Sequence, residues 1–242
     1  TATTEIYTLP LHDALPISFW TAHVVTGPDG GIGDWMAKNS TAFILSRSDW
    51  EYVTNCFAIS YYQGFHFKTS APDGPGNYLL TQSGADNCDI AVNVEEAQGH
   101  SGISFSNSQL FGRILTGENN HAPVRFQSCG LFGAAVVKEV PDTEVVRIEG
   151  HGRVSFDNCH FYAIHGKTDT PVFIRQVAGR LSVTDSLYIV KAFLDPIPLV
   201  IEPDAISTIY ALNEHYTTKR VVNNKGDSGR VIIENNIYAD TE

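Results

Sequence analysis

The stretch "RVSFDNCHFY" (residues 153–162) decides the fold, because its pattern returns along the chain. Val154 and Phe156 alternate with polar neighbours at strand spacing, Asn158 and Cys159 form a tight polar turn, and a second short apolar run follows. The same order is found in "EYVTNCFAI" (51–59), "SGADNCDI" (83–90), "GISFSNSQLF" (102–111), "PVRFQSCGLF" (123–132), "RLSVTDSLYI" (180–189) and "RVIIENNIY" (230–238). Aligned, these segments place Asn55, Asn87, Asn107, Ser128, Asn158, Asp185 and Asn235 in one column. Cys56, Cys88, Ser108, Cys129, Cys159, Ser186 and Asn236 fill the next, and Val53, Ala85, Phe105, Phe126, Phe156, Val183 and Ile233 stand two places ahead. A strand, a corner and another strand recurring every two to three dozen residues or so make one coil of a solenoid. The pattern predicts an all-β chain wound as a single-stranded parallel β-helix, right-handed by the crossover rule.

In such a helix each coil lies about 4.8 Å above the last, so equivalent residues stack. Asn tolerates the left-handed backbone of a corner, and Cys packs inside it as a small apolar residue. The four cysteines are accordingly expected to be structural, with disulfides between neighbouring coils (Cys56 with Cys88, Cys129 with Cys159) as the alternative. One ligand per coil in a straight line cannot surround zinc, and the spacing of His151, His160 and His165 fits no helical metal pair. No metal and no cofactor are expected.

Residues 1–17, "TATTEIYTLPLHDALPI", correspond to one reading frame of a sequencing adapter, with Pro10 the single departure. They are expected to be an artefact, which removes His12 and Asp13 from consideration. Residues 18–40 form a loop and a short helical lead-in, with a helical turn beginning at Asp34, and 41–242 form the β-helix, about seven to eight coils. Between Ser186 and Asn236 there is room for two coils but one clear corner, so a degenerate coil is expected around "STIYALNEHYTTKRVV". The missing end caps suggest a fragment of a longer protein.

Sixteen Lys plus Arg against 27 Asp plus Glu give a net charge of −11, and no basic stripe is present, which argues against a nucleic-acid partner. No apolar run is long enough to span a bilayer. The strands between corners should turn Phe65, Phe67, Val92 and Val94 inward. That leaves His66, Lys68, Asn93, Glu95, Arg147, Glu149, Phe173, Arg175 and Glu202 on an outward ribbon. A polysaccharide lying across the coils would meet it. Lys68, Arg147 or Arg175 could act as the base of a lyase. Glu95 and Glu149 could act as the carboxylate pair of a glycoside hydrolase. Charges cross-paired between coils would also simply stabilise the sheet.

The repeat, with "RSDWEYV", "SGADNCDIAV" and "VRFQSC", resembles the bacterial pectate-lyase-like proteins. These are right-handed β-helices that include pectate lyases, polygalacturonases, glucanases and phage tailspikes. The resemblance covers residues 19–242 and implies a secreted or cell-surface protein. It also implies a polysaccharide partner, while the outward ribbon itself supplies Glu95, Arg147, Glu149 and Arg175 as candidate catalytic residues and His66, Lys68, Asn93, Phe173 and Glu202 as candidate substrate contacts. A non-catalytic adhesin or tailspike-like stalk, in some cases a homotrimer, is the other expectation. Gly150, His151 and Gly152 spell the Gly-His-Gly motif of polygalacturonases, but the family's partner carboxylate motifs have no counterpart, so His151 is expected to be a turn residue.

Overall fold

The computed structural model describes residues 31–133, 144–163, 172–190, 195–227 and 229–238. The adapter-like residues 1–17 lie outside this set, as does the whole of the loop "IHGKTDTP" (164–171), His165 included. A helix, α1 (Gly31–Asn39), leads into three parallel sheets of eight strands each, so the chain is a parallel β-solenoid. Successive strands visit the sheets in rotation, each pairing with the strand one coil earlier and one coil later. The first sheet contains Gln63–Phe67, Ile90–Val94, Arg113–Thr116, Val146–Ile148, Val172–Gln176 and Ile197–Ile201 between its outer strands Thr41–Leu45 and Val222–Asn223.

Period-two alternation builds the interior. In Val124–Gln127 and Arg153–Asp157 every second residue is buried, and register stacks Val53, Leu80, Phe105, Phe126, Phe156, Val183, Tyr210 and Ile233 in one ladder through the second sheet. Phe105, Phe126 and Phe156 stack face to face, with ring centroids 5.4 and 4.9 Å apart. Each ring therefore covers the next, and water reaches none of the three.

The corner from the second sheet to the third is a backbone feature before it is a side-chain one. Asn55, Gln82, Asn107, Ser128, Asn158, Asp185, Leu212 and Asn235 all take positive φ, between 49° and 60°. Asn, Asp and Ser bear this conformation through local hydrogen bonding, which explains their recurrence. The residue after each points inward and bonds its neighbours along the stack. Ser83 Oγ accepts from the Cys56 N–H (3.3 Å), Ser186 Oγ from the Cys159 N–H (3.1 Å), and Asn213 Oδ1 from the Ser186 N–H (3.1 Å). The four cysteines are free thiols, and burial raises the Cys88 thiol to about 11.

Two readings of the repeat are corrected. Asn87 and Cys88 stand at the other corner, from the third sheet into the first, where Ser60 and Asn87 take φ of 58° and 52° and Asn87 Nδ2 donates to Ser60 Oγ at 3.2 Å. Cys88 therefore does not align with Cys56, Cys129 and Cys159; Gln82 and Ser83 hold that register, and Leu80 replaces Ala85 in the inward column. Both corners need a left-handed residue, so both favour Asn, and the dipeptide alone does not tell them apart. The expected degenerate coil exists: its corner is Leu212–Asn213, between Ser207–Ala211 and Glu214–His215.

Phe173 is the second correction. It is fully buried and packs edge-on against Phe161 and Tyr188, with centroids 6.0 and 5.3 Å away. Val172, Phe173 and Ile174 are all buried, as are Ile90, Ala91 and Val92. The chain enters the first sheet from the third through a bend, and strict alternation starts only after it.

Candidate functional site

The outward face of the first sheet carries two charged columns. Register places Ile44, His66, Asn93, Leu115, Arg147, Arg175, Val200 and Val222 side by side. The residues just beyond the strand ends follow in parallel: Lys68, Glu95, Gly117, Glu149, Val177, Glu202 and Asn224. The expected residues other than Phe173 do face outward, but Leu115 and Gly117 divide them into two groups.

The larger group is one connected network. Arg147 Nε donates to Glu149 Oε1 at 2.6 Å, and its Nη1 donates to Glu144 Oε1 at 2.9 Å. Arg175 Nε lies 3.6 Å from the second oxygen of Glu144, and its Nη1 donates to Glu202 Oε1 at 2.5 Å. Asn224 Nδ2 closes the run on Glu202 Oε2 at 3.0 Å. Glu149, Arg147, Glu144, Arg175 and Glu202 thus alternate in sign across neighbouring coils. Glu144, whose side chain is only 9% exposed, is the member that bridges two guanidiniums. Sequence reasoning missed it because it precedes the strand Val146–Ile148 and does not share the strand's alternation. The signal available was a carboxylate three residues ahead of Arg147 in "EVVR".

The smaller group holds His66 and Glu95, joined at 2.7 Å between Nε2 and Oε1, with Asn93 Nδ2 donating to Gln63 Oε1 at 3.1 Å. Lys68 lies beside them, half-buried. Glu95 and Glu149 are separated by the coil of Thr116, so they stand two strand spacings apart, roughly 10 Å along the axis. Glu95 is hydrogen-bonded to His66 and Glu149 to Arg147, so each carboxylate has its own partner.

Electrostatics distinguish holding from reacting. Burial alone would lower the Arg147 guanidinium, but hydrogen bonds to Glu149 and Glu144 outweigh it and the group is held above its ordinary value. The Asn224 amide holds Glu202 below the usual carboxylate range, against a partial cost of burial and with help from Arg175. A lyase base must lose its proton near neutrality, and a hydrolase acid must keep one. Arg147 is displaced away from a lyase base, and Glu202 is held toward its ionised form as the acceptor of Asn224 and Arg175.

Gly150 and Gly152 are explained by close approach. A Cβ on Gly150 would sit 2.4 Å from the Asn120 carbonyl oxygen, and one on Gly152 would sit 2.1 Å from that of Ala122. His151 between them is an exposed turn residue, its ring 5.4 Å from that of His121 one coil earlier. Among the described residues no group of three or more His, Cys, Asp or Glu side chains could hold a metal ion. Among them, too, no helix is long and apolar enough to cross a membrane. Compared with protein-family models, curated proteins and solved structures, the chain finds no match.

Proposed function

We propose that this protein is a non-catalytic β-solenoid that binds an extended, neutral polysaccharide along the outward face of the first sheet. The observation that carries the reading is the run from Glu149 through Arg147, Glu144 and Arg175 to Glu202. It offers charged hydrogen-bonding groups on the outward side of three successive coils. A polymer with hydroxyl groups at a regular repeat is the partner suited to such a ladder. The run contains three carboxylates and two guanidiniums on a chain of net charge −11, which disfavours a polyuronate and, with it, lyase chemistry. The direction of the Arg147 shift, which keeps the guanidinium protonated, favours binding over lyase chemistry at that residue. The resemblance to pectate-lyase-like proteins supports a polysaccharide partner and a location outside the cell or at its surface.

The test is a panel of neutral glucans, mannans and uronans, scored by affinity electrophoresis, by release of reducing ends and by absorbance of unsaturated products. Retardation by a neutral polymer with no product in either assay is expected. Cleavage of any polymer would return Glu95, Arg147, Glu149 and Arg175 to catalytic roles. Absence of retardation across the panel would leave the network as sheet stabilisation alone.

A further inference from the structure

The corner between the first and second sheets carries a feature that the outward ladder does not use. Trp50, directly before the strand Glu51–Thr54, takes φ of 58°. The register of Glu51 with Tyr78, and of Tyr78 with Ile103, makes Trp50 equivalent to Gly102, whose φ is 69°. A bulky residue in a conformation suited to glycine is strained, and it persists only where its surroundings over-determine it. The surroundings are a relay of side chains crossing three coils. Asn77 Oδ1 accepts from the Trp50 N–H at 2.8 Å, and Asn77 Nδ2 donates to Gln98 Oε1. Gln98 Nε2 donates to Asp49 Oδ1 at 2.6 Å, and Arg47 grips both oxygens of Asp49 at 2.6 and 2.7 Å.

Packing of the indole does not repay the strain, because Trp50 is 58% exposed. Tyr52, two residues on, is 71% exposed, and the exposed His100 ring meets Trp50 edge-on with centroids 5.9 Å apart. We propose that Trp50, Tyr52 and His100 form an aromatic subsite for one pyranose ring of a neutral glycan, with Asp49, Arg47 and Gln98 bonding the hydroxyls at its rim. This rests on the polysaccharide reading above and extends it to a second sheet.

The choice of occupant follows from the rim. A sugar ring has an apolar face for the aromatic rings and a hydroxylated edge that can replace water on Asp49 and Arg47. An apolar knob from a protein would instead strip water from that ion pair with nothing in exchange. The subsite also continues the proposed binding face: Arg47 follows the first-sheet strand Thr41–Leu45, and Gln98 follows Glu95 by three residues.

Trp20→Phe with Trp35→Phe leaves Trp50 as the sole tryptophan of the three. Titration of that variant with laminarihexaose, cellohexaose and mannohexaose should give a blue shift and protection from acrylamide quenching with at least one of them. Tyr52→Ala should weaken that response about tenfold. Trp50→Gly, which relieves the backbone strain, should melt at or above the parent temperature while losing polymer retardation in an otherwise unaltered chain. Unchanged emission with all three hexasaccharides overturns the subsite, as does parental retardation by Trp50→Gly. If retardation then still depends on Arg147 and Arg175, the ladder reading stands without the subsite. A parent chain that retains no polymer removes both. Concentration-dependent self-association that Trp50→Gly abolishes, with no saccharide response, assigns the patch to a second copy and also overturns it.

Discussion

The inner corner and the outward face of the first sheet are built from the same coils, yet they record their structure in the sequence in different ways. At the corner each residue is chosen for its own backbone: a positive φ is needed once per coil, and Asn, Asp or Ser supplies it at six of eight places. On the outward face a side chain is chosen for a partner that lies one or more coils away, as Arg175 is for Glu202. A local requirement can be read residue by residue. A pairing between coils can be read only once the length of every intervening loop is known. Disrupting the corner or the core beneath it should therefore cost mainly stability, whereas disrupting the face should cost mainly binding.

The largest stability effect is expected in the ladder beneath the corner. Phe126→Ala removes the middle ring of the Phe105, Phe126 and Phe156 stack and should destabilise by about 3–5 kcal/mol in chemical denaturation. A loss below about 1 kcal/mol would mean that the ladder is not a shared core. Next comes a pH effect at the last coils, where His215 is buried between Tyr188 and Tyr238, 4.5 and 4.3 Å between centroids, with its Nε2 on the Tyr210 hydroxyl at 3.1 Å. Burial, reinforced by the nearby Arg220, lowers it from 6.5 to about 4. The unfolded chain thus binds the proton first, so this stability is complete above about pH 6.5 and is lost as pH falls toward 4. The difference amounts to about 3 kcal/mol. His215→Phe should flatten that part of the profile relative to the parent, and parallel profiles would remove His215 as the cause.

Smaller effects separate backbone from side chain. Leu212 takes φ of 60° at the one corner where a large apolar residue replaces Asn, and it is exposed. Leu212→Asn should therefore stabilise by about 1 kcal/mol, while Asn158→Ala should destabilise by a similar amount. Equal and opposite shifts in melting temperature would confirm that the corner is a backbone requirement. The smallest effect belongs to the face: a double-mutant cycle on Arg147 and Glu149, whose side chains are 37% and 40% exposed, should give well under about 1 kcal/mol.

This contrast also sets how much was legible. The solenoid and most of its inward positions follow from period two and from one turn chemistry, whereas the degenerate coil is legible only from the chain length between Ser186 and Asn236, because Leu212 lacks that chemistry. Cys88 reads like a residue of the Cys56 corner because both corners need a left-handed residue, and Phe173 reads as outward because alternation fails where a strand leaves a bend. Glu144 and the relay from Arg47 to Trp50 carried no periodic signal at all. Their partners are set by register between coils, and in the relay by a strained backbone that a tryptophan gives no reason to expect.

The central claim is that the outward face binds a neutral polymer without cleaving it, and affinity electrophoresis of Arg147→Ala with Arg175→Ala tests it most directly. The double variant leaves the nearly buried Glu144 carboxylate without its two cations and so should melt below the parent while staying folded at the assay temperature. It should lose retardation by about tenfold or more on the neutral polymer that retards the parent, with no products from either chain. Undiminished retardation, or products released by the parent alone, would contradict it.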